Sequence, residues 1–257
     1  MGWGDELMAA GQARRIQLEN PKAGKVIIRD RNGNIRQHEA WNDNPRILKR
    51  SEAPGRTAVS IVNGPSVRPY IADKSEMKWT WNEWECPVGE IYFSDLELKF
   101  AEAYSPQVVI EPNNKAKASP NKDWGIERWA GLVHLLKKAG LESVQLGPRG
   151  TRVIDGAALI ETPTIRLACA VLAKAKVAVL PEGGLHHAAA ALSVPTVVIF
   201  GGFISPKQTG YATQTNLFTG GKPCGMRQNC PHCKIAMAAI TPEMVFDEAM
   251  KLLKTEA

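Results

Sequence analysis

An α/β fold wound around a parallel sheet is what this sequence predicts, on three observations. From residue 107 onward, short apolar runs of strand length alternate with stretches of helical period, the pattern of a sheet covered by helices on both faces. The runs are continuous rather than alternating, as strands buried on both sides read. Glycine, histidine and lysine gather just after the runs, where doubly wound sheets bind their ligands.

The elements follow in order. Residues 5–17 read as a helix, and residues 25–30, 57–64 and 90–95 as strands of a thin first half. Residues 107–112 form a strand that ends at Pro112. A helix over 124–139 is marked by Ile126, Trp129, Leu132, Val133, Leu135 and Leu136 at helical spacing, and Gly140 stops it. Strands over 143–147, 177–181 and 195–202 alternate with helices over 164–174 and 186–192. The last helix, over 241–254, has Thr241 as its N-cap and Pro242 in its first turn. The chain is expected to divide into an N-terminal domain, 1–106, and a C-terminal Rossmann-like domain, 107–257.

Composition narrows the function classes. The 257 residues are 44% hydrophobic and 23% charged, so the bulk is globular, with room for two small cores. The longest weakly polar run, 188–200, is shorter than the ~20 residues a bilayer requires. The first residues lack the basic-then-apolar order of a signal peptide, and five cysteines make an odd number for a disulfide framework. A cytoplasmic location, at most peripheral to the inner membrane, is the expectation. The net charge of +6 belongs to residues 108–257. Residues 1–107 are neutral overall but divide into +5 over 1–70 and −5 over 71–107. Such a charge suits a phosphate ligand, a nucleic acid or plain solubility.

Chemistry is expected at the strand ends. After 177–180 comes PEGGLHH: Gly183 and Gly184 allow close backbone approach, and the following helix offers free N–H groups to an anion. Glu182 suits the hydroxyls of a ribose or sugar, and His187 in the first turn can face a phosphate. Lys122, after the lysine-bearing loop that begins at Asn113, can neutralise a diphosphate. Gly201 and Gly202 close another strand. Asn113, Lys115, His186 and Gly147 are secondary candidates on the same edge. Trp79 and Trp81, within KWTWNEWECP, can stack on a sugar or base or simply pack on a neighbour. Cys224, Cys230 and Cys233 beside His232 have a partial zinc spacing, but no second pair accompanies Cys230-x2-Cys233 and adjacent His232 and Cys233 make awkward co-ligands. Structural zinc is therefore disfavoured against reduced thiols.

The run TPTIRLACAVLAKAKVAVLPEGGLHHAAAALSVPTVVIFGG, residues 162–202, resembles the C-terminal domain of glycosyltransferase family 9, the ADP-heptose:lipopolysaccharide heptosyltransferases and their relatives. Glu182, Gly183, Gly184 and His187 stand where the family has Asp-[Ser/Thr]-Gly-x-x-His. Lys122-Asp123-Trp124 matches its Lys-x-Trp, and Gly2-Trp3-Gly4-Asp5 its Gly-x-Gly-Asp. The cysteine cluster before Ile240-Thr-Pro-Glu-Met-Val matches too. The resemblance covers roughly 107–254 and the first 17 residues. It implies a GT-B architecture, two Rossmann-like domains facing a cleft, the N-terminal one reduced here.

The resemblance also implies transfer of a sugar from a nucleotide-diphosphate-sugar to a hydroxyl of a glycan or lipopolysaccharide-type acceptor, inverting and with no metal or other cofactor. Asp5 would be the general base. The first half is too short for the resemblance to place the acceptor, and Trp3, Gly4, Trp79 and Trp81 are its candidates on their own residue chemistry. Glu182 and Gly183 depart from the family pattern, so the donor need not be ADP-heptose. Two rival readings stand beside this one. The first is a phage-type enzyme that glycosylates DNA, suggested by the +5 of residues 1–70. The second is an inactive sugar-nucleotide-binding protein.

Overall fold

In the computed structural model of the protein, residues 2–64, 67–113 and 119–255 are described. The chain opens with α1 (Trp3–Glu19), then β1 (Val26–Arg29), a 3-10 turn at Glu39–Trp41, β2 (Val59–Val62), β3 (Ile71–Lys74), β4 (Trp79–Trp81) and α2 (Asp95–Ala101). Next come β5 (Val108–Ile110), a 3-10 turn at Pro120–Lys122, α3 (Ile126–Lys138), β6 (Ser143–Gly147), β7 (Ala158–Glu161), α4 (Ile165–Leu172) and β8 (Val177–Pro181). The series closes with α5 (Gly184–Ala191), β9 (Thr196–Ile199), α6 (Pro206–Thr209), β10 (Thr215–Leu217), α7 (Pro231–Ala239) and α8 (Pro242–Thr255).

The second half is a six-stranded parallel sheet in the order β10-β9-β8-β5-β6-β7. The chain enters at the centre, on β5, winds outward to β7, then returns to β8 and winds the other way. The order reverses between β5 and β8. Successive residues of β5 face opposite sides: Val108 and Ile110 pack with Trp124, Trp129, Leu132 and Leu136 under α3 and α8, whereas Val109 packs beneath α4 and α5. The Trp124 indole N–H donates to the Ile240 carbonyl at 2.7 Å, fixing where α8 starts.

The first half is thin, with β1 and β2 as a parallel pair and β3 and β4 as an antiparallel hairpin. Its helix α1 is buried between its own strands and the second half: Leu7, Ala10 and Ala13 share one apolar cluster with Val26 and Ile28, and with Ala168, Leu172, Ala188 and Ala189. Small residues on α1 and α5 allow this close packing. Buried Arg166 adds a polar tie, donating to the carbonyls of Glu39 at 2.7 Å and Tyr92 at 2.6 Å while pairing with Glu97.

One element departs from the sequence expectation. Residues 90–95 are not a strand; they run unpaired alongside α1, with Glu90 bound to Arg14 and Arg46. Ser94 then caps α2. The apolar run IYF packs against the shared cluster through Ile91 and Phe93 without a ladder partner, so burial came without pairing. The β3–β4 hairpin, β7, β10, α2 and α7 are additional. Each is short, and its apolar pattern is too brief to read from periodicity.

Candidate active site

A cavity of about 540 Å³ opens outside the carboxyl ends of β5 and β8, at the point where the strand order reverses. That is where an open parallel sheet leaves a crevice, and the volume suits a small molecule. Its floor comes from the second half, through Lys122, Glu182, Gly183 and Gly184. The facing wall comes from the start of α1, together with Arg68, Tyr70 and Trp79.

Asp5 stands in the first turn of α1 and is buried. Its Oδ1 accepts from the Tyr70 hydroxyl at 2.7 Å, and its Oδ2 accepts from the Gly2 N–H at 3.1 Å and pairs with Arg68 at 3.1 Å. Burial above all, and the Asp5 charge after it, hold the Tyr70 phenol well above its ordinary pKa, so it remains a donor. The carboxylate is thus fixed in place by three donors.

Across the cavity Lys122 pairs with Glu182, and its ammonium lies 5.3 Å from the centre of the Phe203 ring. Burial works to raise the Glu182 carboxyl, but Lys122 above all outweighs it and the net direction is downward. The pair is a charged unit at the floor. Gly183 and Gly184 follow it and open α5, and both line the cavity together with Leu185.

His187 sits on the first turn of α5, 2% exposed, with Nδ1 at 2.7 Å from the Tyr211 hydroxyl. Burial, reinforced by His186 and Lys122, pushes its imidazole well below the usual histidine range, so it is neutral at physiological pH. It lines the cavity as a polar neutral group. His186 has a different task. Its Nδ1 accepts from the Gly183 N–H at 2.9 Å, which leaves Nε2–H to donate to the Thr209 carbonyl at 2.8 Å. It holds the turn from below and does not line the cavity.

Of the other expected residues, Asn113, Trp3, Gly4 and Trp79 line the cavity. Trp81 stands behind it, stacked on Tyr70 at 6.3 Å between ring centres. Gly201 and Gly202 lie elsewhere: side chains there would run into Met237 and His232 of α7, at 2.6 Å and 2.9 Å. Their small size serves helix packing rather than ligand approach. Gly147 is likewise closed over by Thr151. Lys115 lies outside the described residues.

Four ionisable lining residues were missed by sequence reasoning: Arg68, Tyr70, Glu111 and Arg227. Glu111 carried a readable signal, since it directly follows a strand. Its Oε1 accepts from the Asn113 N–H at 2.7 Å, and burial raises its carboxyl to about 7. Arg68, Tyr70 and Arg227 come from loops whose return to the cavity no local pattern announces.

Two donor sets bear on metals. Glu182, His186 and His187 offer atoms within 4.8 Å of one another, but both His186 nitrogens serve backbone groups and Glu182 is neutralised by Lys122. That set does not fit an ion. Cys224, Cys230, His232 and Cys233 also lie within 4.8 Å, outside the cavity lining. Here the His232 Nε2 lies 2.7 Å from the Gly220 carbonyl, which turns the other ring nitrogen toward Cys233. Three thiols and one imidazole suit a structural zinc-type ion. The adjacency of His232 and Cys233, an objection raised from sequence, is removed by the fold, since all four donors converge.

Of the twelve Lys and Arg of residues 1–70, Arg14, Lys25, Arg36, Arg46, Lys49 and Arg68 pair with carboxylates, four of them with acids of the same segment and Arg14 and Arg46 with Glu90. Among the described residues no helix is long and apolar enough to cross a membrane.

Solved structures place the architecture. A family 9 glycosyl transferase from Veillonella parvula aligns at TM-score 0.65 and 13% identity, over 100% of this chain and 96% of that one. The iron-containing dodecameric glycosyltransferase TibC from enterotoxigenic E. coli aligns at 0.64 and 15%, over 100% and 75%. ADP-heptose LPS heptosyltransferase II of E. coli aligns at 0.50 and 21%, over 67% of this chain, which spans only 55% of the length of that enzyme. The fold is of GT-B type, with two α/β halves across a cleft and the first reduced to α1, α2, a two-stranded parallel pair and the β3–β4 hairpin. No curated protein matches the sequence. The model of "Glycosyltransferase family 9 (heptosyltransferase)" matches residues 90–229, more than half the chain, and the protein belongs to that family.

Proposed function

We propose that the protein is a glycosyltransferase that moves a sugar from a nucleotide-diphosphate-sugar to a hydroxyl of a glycan or lipopolysaccharide-type acceptor. In this reading residues 107–257 hold the donor and residues 1–106 the acceptor. One observation carries it: a single cavity sets a fixed carboxylate, Asp5, opposite a lysine and a helix N-terminus, Lys122 and α5.

Such an arrangement serves a single displacement, with inversion. Asp5 takes the proton of the acceptor hydroxyl as its oxygen attacks the anomeric carbon, contributing ~10²–10⁴-fold. Negative charge grows on the departing diphosphate, where Lys122, the N–H groups after Gly184 and neutral His187 as a hydrogen-bond donor stabilise it. Glu182 keeps Lys122 in place until the diphosphate competes for it. No step is routed through an ion; one held at Cys224, Cys230, His232 and Cys233 would act on the shape of the loop before α7.

A thermal-shift panel of nucleoside diphosphates and their sugar conjugates tests the donor half, since a ligand bound to the native state raises the melting temperature. Release of the nucleoside diphosphate from the best conjugate, even slowly to water, separates an enzyme from an inactive binder. A flat panel overturns the proposal.

A further inference from the structure

His187 turns one ring nitrogen to the interior and the other to the cavity wall. Nδ1 lies 2.7 Å from the Tyr211 hydroxyl, and the two rings stand edge to face at 89°, 5.6 Å between centres. Nε2 lies on the side of Gly4, where a Cβ added to that glycine would stand 2.8 Å from it. Among the described residues Nε2 makes no hydrogen bond, and His187 lines the cavity. The imidazole is neutral, so one nitrogen carries the proton and the other a lone pair. Which of the two is turned to the cavity decides whether His187 offers a ligand a donor or an acceptor.

The surroundings of Tyr211 settle this. Its hydroxyl has a second neighbour, the thiol of Cys86, with which it shares a hydrogen bond. Cys86 comes from the first half, in the segment between β4 and α2, and packs in one cluster with Tyr211, Met8 and Ala190. Burial above all pushes the Cys86 thiol up to about 12. Burial, and Cys86 after it, hold the Tyr211 phenol well above its ordinary pKa. Both groups therefore keep their protons. Two arrangements satisfy all three residues. In the first, the Tyr211 O–H donates to His187 Nδ1 and the Cys86 S–H donates to the Tyr211 oxygen. In the second, His187 Nδ1–H donates to the Tyr211 oxygen and the Tyr211 O–H donates to sulfur. The first directs the phenol, the strongest donor of the three, at the imidazole nitrogen, whereas the second directs it at sulfur, a weak acceptor. The first therefore prevails and leaves the His187 proton on Nε2. His186 reaches the same tautomer by another route, because the Gly183 N–H can only donate to its Nδ1.

We propose that Tyr211, backed by Cys86, is a positioning residue that holds the His187 proton on Nε2, as a donor to an anionic group of the bound ligand. This rests on the glycosyl-transfer reading of the cavity, in which that group is the leaving diphosphate. Neither Tyr211 nor Cys86 lines the cavity, so both act through His187.

The test combines nitrogen NMR of the full chain, labelled at histidine, with calorimetric titration by ADP and UDP at neutral pH. His187 is expected to carry its proton on Nε2, its signals assigned by their loss in His187→Gln. Tyr211→Phe removes only the hydroxyl, and the Nδ1 signal is expected to move to that of an unbonded nitrogen. The same variant is expected to weaken the nucleotide that binds about tenfold, the worth of one hydrogen bond to a charged group. In His187→Gln the amide supplies a donor that needs no tautomer, and adding Tyr211→Phe is expected to change affinity by less than about twofold. A proton found on Nδ1 in the natural protein overturns the proposal, as does a bound nucleotide whose affinity ignores Tyr211→Phe. A loss from Tyr211→Phe that is as large in the His187→Gln background would give Tyr211 a role in the fold alone, and overturns it too. If neither nucleotide binds while the proton sits on Nε2 and Tyr211→Phe moves the Nδ1 signal, the relay stands and the donor reading falls.

Discussion

Gly4 of α1 lies directly against His187 of α5: a methyl group on Gly4 would overlap the imidazole ring. The two halves of the molecule therefore meet at a residue without a side chain, and the contact sets both Asp5 and His187 in the cavity wall. Gly184 repeats the device from the other helix, where an added Cβ would stand 3.1 Å from the Trp3 Cβ.

Gly4→Ala is accordingly expected to destabilise the fold by about 1–3 kcal/mol, the usual cost of overpacking a tight contact. It gains up to about 1 kcal/mol in helix propensity, which offsets part of that cost. Thermal unfolding measures the net effect. A rise in melting temperature would mean that α1 and α5 separate at little cost.

Asp5→Asn keeps the shape of the carboxylate and removes its capacity to take a proton. Turnover is expected to fall by ~10²-fold or more while nucleotide affinity is retained. Tyr70→Phe, which removes one positioning hydrogen bond, is expected to cost far less. Equal losses for the two would assign Asp5 a structural role.

Lys122→Met strands the Glu182 carboxylate, 6% exposed, without its partner. Breaking a buried pair this way costs ~3–5 kcal/mol. The double variant Lys122→Met/Glu182→Met is expected to recover most of that stability. Nucleotide affinity is expected to be low in both, and a double variant that binds nucleotide normally would remove Lys122 from the donor site.

Glu111 gives a pH signature. Burial raises its carboxyl from 4.5 to about 7, so the folded state holds this proton more tightly than the unfolded chain. The stability it contributes is full below about pH 4.5 and is lost as pH rises through about 7. Against the always-neutral Glu111→Gln, the natural protein is expected to fall behind over that window by up to about 3 kcal/mol. Parallel stability curves across pH 4–8 would refute the burial argument.

The thiol cluster offers a test by addition and removal. Zinc added to reduced, metal-free protein is expected to raise the melting temperature, and Cys230→Ser to abolish the rise. Chelation is expected to leave turnover unchanged well below the melting temperature, since the four donors lie outside the cavity.

The strand-end edge of the cavity was the legible part of the site. Lys122, Glu182, Gly183, Gly184 and His187 were named because each follows a strand or a turn, and in a parallel sheet all strand ends point to one edge. The same rule overreached at Gly201, Gly202 and Gly147, because a glycine after a strand also lets a helix or a neighbouring side chain pack close. Arg68, Tyr70 and Arg227 were invisible: they sit in irregular segments, and their nearness to Asp5 or Trp79 spans 63, 65 and 148 positions along the chain.

What the sequence determined by itself is the parallel α/β second half and the edge at which the cavity opens, because hydrophobic period and strand-end chemistry are local and repeat every few residues. Only the tertiary structure decided that α1 closes that edge through Gly4 and His187, that His187 is neutral, that Arg68 and Tyr70 are brought to Asp5, and that a loop from the second half returns to set Arg227 on Trp79. Those depend on burial and on contacts between distant segments, where free energy is set by what surrounds a group rather than by what neighbours it along the chain.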